Sequence, residues 1–366
     1  MRIPLVDLTQ TETTKQQRIF RAVQNVVKKG NFILGDEVEK FEKNFATYIG
    51  AKYCVGVASG SDALLLSIKA LGIGEGDEII VPAMTFIATA SSVIHAGAKP
   101  VFVDIQSNTP LIDPEKIESK ITKRTKAIIP VHMHGYPCAM DEINSIAKKH
   151  GLYVIEDACQ AHGSRYKNRK AGSLGTLAAF SFYPSKNLGA YGDAGAITTS
   201  DKKLYEKLKA LRHHGQKMKS KHDILGYNSR LDSIQAAVLN VKLSSLDKNN
   251  LKRQKHADLY KKFLKDVPVK IHTNPKNSLT NYYIFGVQLE KRDSLLTFLR
   301  SKGIYCDIHY ALPLHLQPAL AFLKYHRGDF PNAEKFADET LSLPMYPELK
   351  NKELQYISAS IKAFFK

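Results

Sequence analysis

Lys186 stands between an aromatic run and a glycine-rich loop in FSFYPSKNLGAYGDAG, residues 180–195. Phe180, Phe182, Tyr183 and Pro184 give its amine the kind of apolar setting in which lysine serves as a nucleophile toward carbonyl groups. About thirty residues upstream, LYVIEDACQAHG (152–163) ends four apolar residues in Glu156 and Asp157. A carboxylate at the carboxyl end of a central strand lies where ligands bind in open α/β sheets. There it can hold a protonated ring nitrogen, the task of the pyridinium partner in pyridoxal phosphate enzymes, or it can simply cap a strand-to-helix turn. Farther upstream, VASGSDALLL (57–66) runs from a strand through Ser59-Gly60-Ser61-Asp62 directly into a helix. Gly60 permits close backbone approach, and the free amides of a helix start, with the Ser59 and Ser61 hydroxyls, suit a phosphate. Ser61 acting only as a helix cap satisfies the same pattern, which is neither a Walker A loop nor a GxGxxG. The order of phosphate turn, carboxylate and lysine joins the three into one candidate site.

The elements between them must bring these residues to one edge. Lys52–Ala58, Glu78–Val81, Pro100–Val103, Ala127–Val131 and Tyr153–Ile155 are apolar runs of strand length. Helical patterns fill the gaps: ALLLSIKALG, a helix from about Thr85 to Ala96, and MDEINSIAKKHG, closed by Gly151. This alternation predicts an α/β fold with a mostly parallel sheet covered on both faces. After about residue 230 the rhythm changes. Residues 231–266 read as long helical material, NYYIFGVQL as a strand, and RDSLLTFLRSKG and PNAEKFADETLSL as helices. The expected organisation is a large α/β domain over 1–245 and a smaller α+β domain over 246–366, with the extreme amino terminus packing on the smaller one.

Composition narrows the function classes. With 43% apolar and 24% charged residues over 366, the chain is globular and not disordered. A net charge of +18 suits a polyanion, a small anionic substrate or a merely lysine-rich surface. Cys54, Cys138, Cys159 and Cys306 form no CxxC, which argues against a zinc ribbon and a disulfide framework and fits a reducing, cytoplasmic setting. The start, MRIPLVDLTQTE, lacks a signal pattern. Residues 79–98 carry no Asp, Glu, Lys or Arg and have the length of a bilayer span. Pro82 splits them, and Thr85, Thr89, Ser91, Ser92 and His95 dilute them, so a buried strand and helix are expected and no membrane association.

The segments SGSDAL, GDEIIVPAMTFIATA, GAKPVFVDI, TKAIIPVHMHG, IEDACQAHG, FSFYPSKNLGAYGDAGA and GYNSRLDSIQAAVL follow one another in a single order. In them the chain resembles the DegT/DnrJ/EryC1/StrS sugar aminotransferases, from PLVDL and GNFILG through to LSLPMYP. The resemblance implies a fold-type-I pyridoxal 5′-phosphate transferase, with a large domain built on a mostly parallel central sheet and a smaller α+β domain. It implies that Lys186 holds the cofactor as a Schiff base and later shuttles the proton of the substrate carbon. By the same resemblance Asp157 keeps the ring nitrogen protonated, Gln160 sits near the ring hydroxyl and Phe86 stacks on the ring face. Gly60, Ser61 and Ser181 bind the phosphate, and Asn228 reaches it from the neighbouring subunit, so that a homodimer shares its active sites. Where relatives usually read SGT, Ser59-Gly60-Ser61 keeps the hydroxyl.

The reaction so implied moves an amino group from a donor, L-glutamate, to a nucleotide-linked keto hexose in two half-reactions, for amino sugar, polysaccharide or O-antigen biosynthesis. NSRLD followed by SIQAAVL leans toward amination at carbon 3, and HMHGYPCAMD toward carbon 4. Tyr183, His309, Tyr310 and His315 are expected to face the substrate, and Phe32 to line the sugar pocket or pack in the core. Basic Arg212–Tyr227 reads as a solvated loop, or as a loop near the dimer interface that contacts a diphosphate. His132 and His134 alternate like a metal pair, but no third ligand is placed nearby and no metal is expected. His162 is expected behind Asp157 or as a core histidine. Cyclitol and aminobenzoate-type aminotransferases share the cofactor residues and stay open. A sugar dehydratase of this group would carry histidine in place of Lys186, and a DNA-binding regulator would need a helix-turn-helix or basic helix that the linear pattern lacks.

Overall fold

A computed structural model describes residues 2–10, 13–218 and 220–366 of the chain. Met1, Thr11 and Glu12 of the leader reading, and Lys219 of the basic loop, lie outside the described residues. Two helices, α1 (Thr13–Lys29) and α2 (Asp36–Ile49), precede the first strand, β1 (Tyr53–Val57). Next come α3 (Gly60–Ala70), β2 (Glu78–Pro82), α4 (Ile87–His95), β3 (Lys99–Val103), β4 (Thr125–Ile128), α5 (Met140–His150) and β5 (Tyr153–Asp157). The main sheet is completed by β6 (Leu177–Ser181) and β7 (Gly195–Thr199), with α6 (Lys202–Arg212) after them. Its order is β1-β7-β6-β5-β4-β2-β3. The contacts among β3, β2, β4, β5 and β6 are parallel, while β7 runs antiparallel to both β6 and β1. Every residue of β2 and β7 is buried, as a sheet covered on both faces requires. Gly151 closes α5 in the left-handed region at φ 65°, where glycine carries no Cβ penalty.

The long helical stretch is two helices, α7 (Ser233–Leu243) and α8 (Leu246–Phe263), separated at Ser244 and Ser245. A second sheet of β8 (Lys270–Ile271), β9 (Phe285–Gln288) and β10 (Thr340–Leu343) is antiparallel throughout. Around it lie α9 (Arg292–Ser301), α10 (Pro331–Glu339) and α11 (Asn351–Phe364). The expected NYYIFGVQL strand shortens because Tyr282 takes φ 46° and the Asn281 side chain caps the turn, accepting from the Tyr283 amide at 3.1 Å. PNAEKFADETLSL is helix only to Glu339, and its last four residues pair with β9. The amino-terminal Ile3 exchanges backbone bonds with Gly303 and Tyr305, both 2.9 Å. The uncharged stretch 79–98 becomes β2 and α4, and among the described residues no helix is long and apolar enough to cross a membrane.

Two packing arrangements hold the site's edge. Phe45 meets Phe180 edge-on at 4.9 Å and Phe41 meets Phe182 at 5.3 Å, anchoring the end of β6 to α2. On the other side of α2, Glu42 accepts from the Gly56 amide at 2.7 Å, and Arg212 donates both to Glu42 and, at 2.8 Å, to the Gly56 carbonyl. This buried pair brackets the last turn of β1 before the Ser59 turn. Replacing Arg212 with Met would leave Glu42 buried without its cation, a loss of about 3–5 kcal/mol. Denaturant unfolding followed by tyrosine fluorescence is expected to show that loss, and a change under about 0.5 kcal/mol would refute the bracing role.

Candidate active site

β1 and the parallel strands β2 to β6 end at one carboxyl edge of the sheet. Ser59 caps α3, its hydroxyl accepting from the Asp62 amide at 3.1 Å and donating to the Asp62 carboxylate at 3.0 Å. The next amides, of Gly60 and Ser61, open the helix and have no carbonyl four residues back to bond. The turn is closed tightly by its neighbours. A Cβ on Gly60 would lie 2.6 Å from the Ser181 Cβ, and one on Gly195 would lie 2.2 Å from the Ser59 carbonyl. Ser61 is exposed and Ser181 half-buried, so the hydroxyls beside those amides are open to a ligand. The cap is thus Ser59, which leaves Ser61 free of the capping task.

Asp157 ends β5 and is 6% exposed. Its carboxylate accepts from the Cys159 amide at 3.2 Å and from the Thr89 hydroxyl at 2.9 Å. With its one proton so used, Thr89 accepts from Thr85 at 3.0 Å. Phe86 lies between those threonines in sequence, immediately before α4, and is 56% exposed. The helix therefore begins at Ile87, later than expected, because Phe86 is still extended. Gln160 uses both ends of its amide, accepting from the His134 amide at 2.7 Å and donating to the Tyr310 hydroxyl at 2.8 Å.

Lys186 sits in a loop that turns back on itself, its amide bonded to the Tyr183 carbonyl at 2.8 Å. Its Nζ lies 4.1 Å from the centre of the Tyr283 ring, and among the described residues no carboxylate forms an ion pair with it. Burial pushes the His162 imidazole down to about 3, the Lys186 ammonium adding to the effect. Burial also holds His309 below its ordinary value, with Asp307 opposing and Lys186 reinforcing. A cavity of about 330 Å³ opens here, lined by Tyr183, Ser185, Tyr283, His309 and Ser342. An open amide turn, a buried carboxylate with oriented donors, an exposed aromatic face and an amine with no counterion fit a planar, phosphate-bearing aromatic aldehyde such as pyridoxal 5′-phosphate.

The structure brings Asp157, Gln160, Tyr310, Tyr183, His309 and Lys186 into this cluster, with Gly60, Ser61, Ser181 and Phe86 on its rim. His315 is drawn elsewhere: its Nε2 pairs with the Glu334 carboxylate at 2.9 Å and its ring packs on Phe330 at 4.8 Å, so no contact joins it to the cluster among the described residues. Phe32 is exposed, and its carbonyl accepts from the Ser233 amide at 2.9 Å. Asn228 is exposed on the neighbouring segment, where Ser229 accepts from the Ala58 amide at 3.3 Å. His132 is committed to the framework, accepting from the Cys138 amide at 3.0 Å and donating to Glu156 at 2.9 Å. Thr89, which donates to Asp157, and Tyr283, whose ring faces the Lys186 amine, are neighbours of the candidate residues that sequence reading did not single out. The threonine had a signal, three residues after Phe86 on a helical period; the tyrosine had none, being hidden in an apparent strand.

Gly60→Ala would force its new methyl against Ser181. The expected result is a folded protein whose affinity for pyridoxal phosphate, titrated by absorbance, falls at least tenfold, or about 1.4 kcal/mol. Unchanged affinity would show that the close approach is not needed.

Comparison with known proteins shows the family. A profile of the DegT/DnrJ/EryC1/StrS aminotransferase family matches residues 13–362. The chain is 47% identical to a pleiotropic regulatory protein of Geobacillus stearothermophilus, over 100% of this chain and 99% of that one. It is 44% identical to the dTDP-3-amino-3,6-dideoxy-alpha-D-galactopyranose transaminase of Aneurinibacillus thermoaerophilus, over 99% of each. The crystal structure of S. venezuelae DesV in complex with a ketimine intermediate superposes with a TM-score of 0.97 at 41% identity, covering 99% of this chain and 98% of that one. Sequence, fold and site together place the chain in the DegT/DnrJ/EryC1/StrS aminotransferase family of pyridoxal phosphate-dependent enzymes.

Proposed function

We propose that the protein aminates a nucleotide-linked keto hexose at carbon 3, taking the amino group from L-glutamate. The observation that carries this reading is the convergence of Lys186, Asp157 and the Ser59-Gly60-Ser61 turn on one edge of the sheet. When bound, the cofactor supplies an aromatic ring that accepts the electron pair of the carbon being deprotonated. Asp157 would hold the ring nitrogen, its two oxygens aimed by Thr89 and the Cys159 amide. The Gly60 and Ser61 amides, with the Ser61 and Ser181 hydroxyls, would bind the phosphate. The Lys186 amine would take the proton at the substrate carbon and return it, acting as general base and then acid. Tyr310, fixed by Gln160, and His309, bonded through Nδ1 to Ser342 at 2.8 Å, would orient the sugar.

The preference for carbon 3 follows the NSRLD–SIQAAVL segment and the 3-amino product named for the Aneurinibacillus relative. The opposing HMHGYPCAMD signal carries little weight, because His132, His134 and Cys138 are fully buried. A homodimer is supported by Asn228, exposed near Met218 and Leu225, the latter 96% exposed. Four free cysteines support a cytoplasmic setting. The separate antiparallel sheet after α8 supports a division near residue 245.

The test is an absorbance scan of the purified protein before and after borohydride, beside Lys186→Ala. A visible band that borohydride removes and the variant lacks is expected, together with a loss of at least about 10³-fold in transamination of nucleotide-linked keto sugars with glutamate. No adduct at Lys186 with added pyridoxal phosphate would defeat the reading, and would favour the regulatory role described for the Geobacillus relative. Turnover of a cyclitol ketone, with no keto sugar accepted, would redirect the acceptor alone.

A further inference from the structure

Three parts of the candidate site come from distant places in the chain: the Lys186 loop, the turn from Gln160 to His162, and Tyr283, whose ring faces the Lys186 amine. Asparagine amides join them. Asn187, the residue after Lys186, donates through Nδ2 to the Asn250 Oδ1 at 2.8 Å and to the Asn281 carbonyl at 3.0 Å. Asn250, 4% exposed on α8, donates in turn to the His162 carbonyl at 2.8 Å. Asn281 is buried and donates to the carbonyls of Gln160 and His162, at 3.0 and 3.2 Å. Its Oδ1 accepts from the Tyr283 amide at 3.1 Å. The helix α8 also holds the backbone around Asn281, since Arg253 donates to the Tyr282 carbonyl at 3.2 Å and Gln254 to the Thr280 carbonyl at 3.0 Å. Asn250, Arg253 and Gln254 are spaced by three and four residues, so they share one face of that helix.

The orientation of Asn187 is forced. An amide nitrogen carries two protons, and here both are used. Turned over, the side chain would set its oxygen against two acceptors, the Asn250 oxygen and the Asn281 carbonyl. Asn250 cannot turn to help, because its own nitrogen meets the His162 carbonyl. As it stands, the Asn187 Oδ1 is buried with no partner among the described residues, a cost of the kind that persists where placement matters more than stability. Within the loop, the Lys186 amide bonds to the Tyr183 carbonyl at 2.8 Å and the Gly189 carbonyl accepts from Lys242 at 2.6 Å. Asn187 supplies the side-chain anchor between those two points. We propose that Asn187 is a positioning residue: gripped by Asn250 and Asn281, it fixes the Lys186 backbone so that the amine is held against the Tyr283 ring. The inference rests on the role of Lys186 proposed above.

The test uses the holoenzyme with Asn187→Ala, Asn250→Ala and the double variant. Each is expected to bind the cofactor and to show the band that borohydride removes. A misplaced reacting group costs rate steeply, so kcat is expected to fall at least about tenfold, with KM for the nucleotide-linked keto sugar within about twofold. The visible circular dichroism per bound cofactor, which reports a fixed ring in an asymmetric site, is expected to fall with it. One hydrogen bond joins the two asparagines, so the double variant is expected to be no slower than the slower single one. Asn187→Ala, at a half-buried loop position, carries the test by itself if Asn250→Ala does not fold. Variants that unfold at a lower temperature yet keep kcat and the visible dichroism would overturn the proposal, leaving the asparagines a purely structural role. Losses that add in the double variant would overturn it as well. No Lys186 adduct in the unaltered protein would defeat the proposed function and this inference together, whereas a normal adduct with unchanged variants would defeat this inference alone.

Discussion

The Glu156 carboxylate is fully buried and accepts four hydrogen bonds, from the amides of Gly172, Leu174 and Gly175 at 2.6–2.7 Å and from His132 at 2.9 Å. Each bond in such a low-dielectric setting is strong, and each donor would be costly to leave unpaired. The carboxylate therefore ties the loop before β6 and the end of β4 to β5. Side chains alternate across a strand, so fixing Glu156 toward the framework turns Asp157 toward the site. There the Thr89 hydroxyl and the Cys159 amide meet it. The reactive-looking acid is placed by the inert one beside it.

This explains what could be read from the chain alone. Lys186, Asp157 and the Ser59 turn stand out in the chain as candidates because each sits where an apolar run meets a turn, and those boundaries are local. The parallel sheet was legible for the same reason, in the alternation of strand and helix. The reversed direction of β7 was not, since nothing local distinguishes Gly195–Thr199 from a parallel strand. Its pairing with β1 and β6 brings Gly195 against the Ser59 carbonyl, a contact between residues far apart in sequence. The pairing of His315 with Glu334 was not legible either, because it joins residues on separate elements. Tyr283 was hidden by a strand-like composition that the Tyr282 backbone interrupts.

The net charge illustrates a different limit. A value of +18 favours anions without saying where they bind. Exposed lysines spread over helices contribute little that is specific, being screened within about 8–10 Å at ordinary salt. What makes charge informative is desolvation, and that appears only in the fold. Arg253 is an ordinary helical cation in the sequence; in the fold it is buried, and its Nε has no hydrogen-bond partner among the described residues.

The same helix α7 links two ends of the proposed active site. At its start, the segment carrying Asn228 is tied down by the Ile33–Asp232 bridge and by the Ser233 amide on the Phe32 carbonyl. Along its length Gln235 accepts from the Tyr191 amide at 2.8 Å and Lys242 holds the Gly189 carbonyl at 2.6 Å, so the loop after Lys186 rests on it. That loop is closely packed, since a Cβ on Gly189 would come within 2.2 Å of the Pro184 carbonyl oxygen. One helix of three turns thus fixes both the segment that carries Asn228 and the loop that follows Lys186.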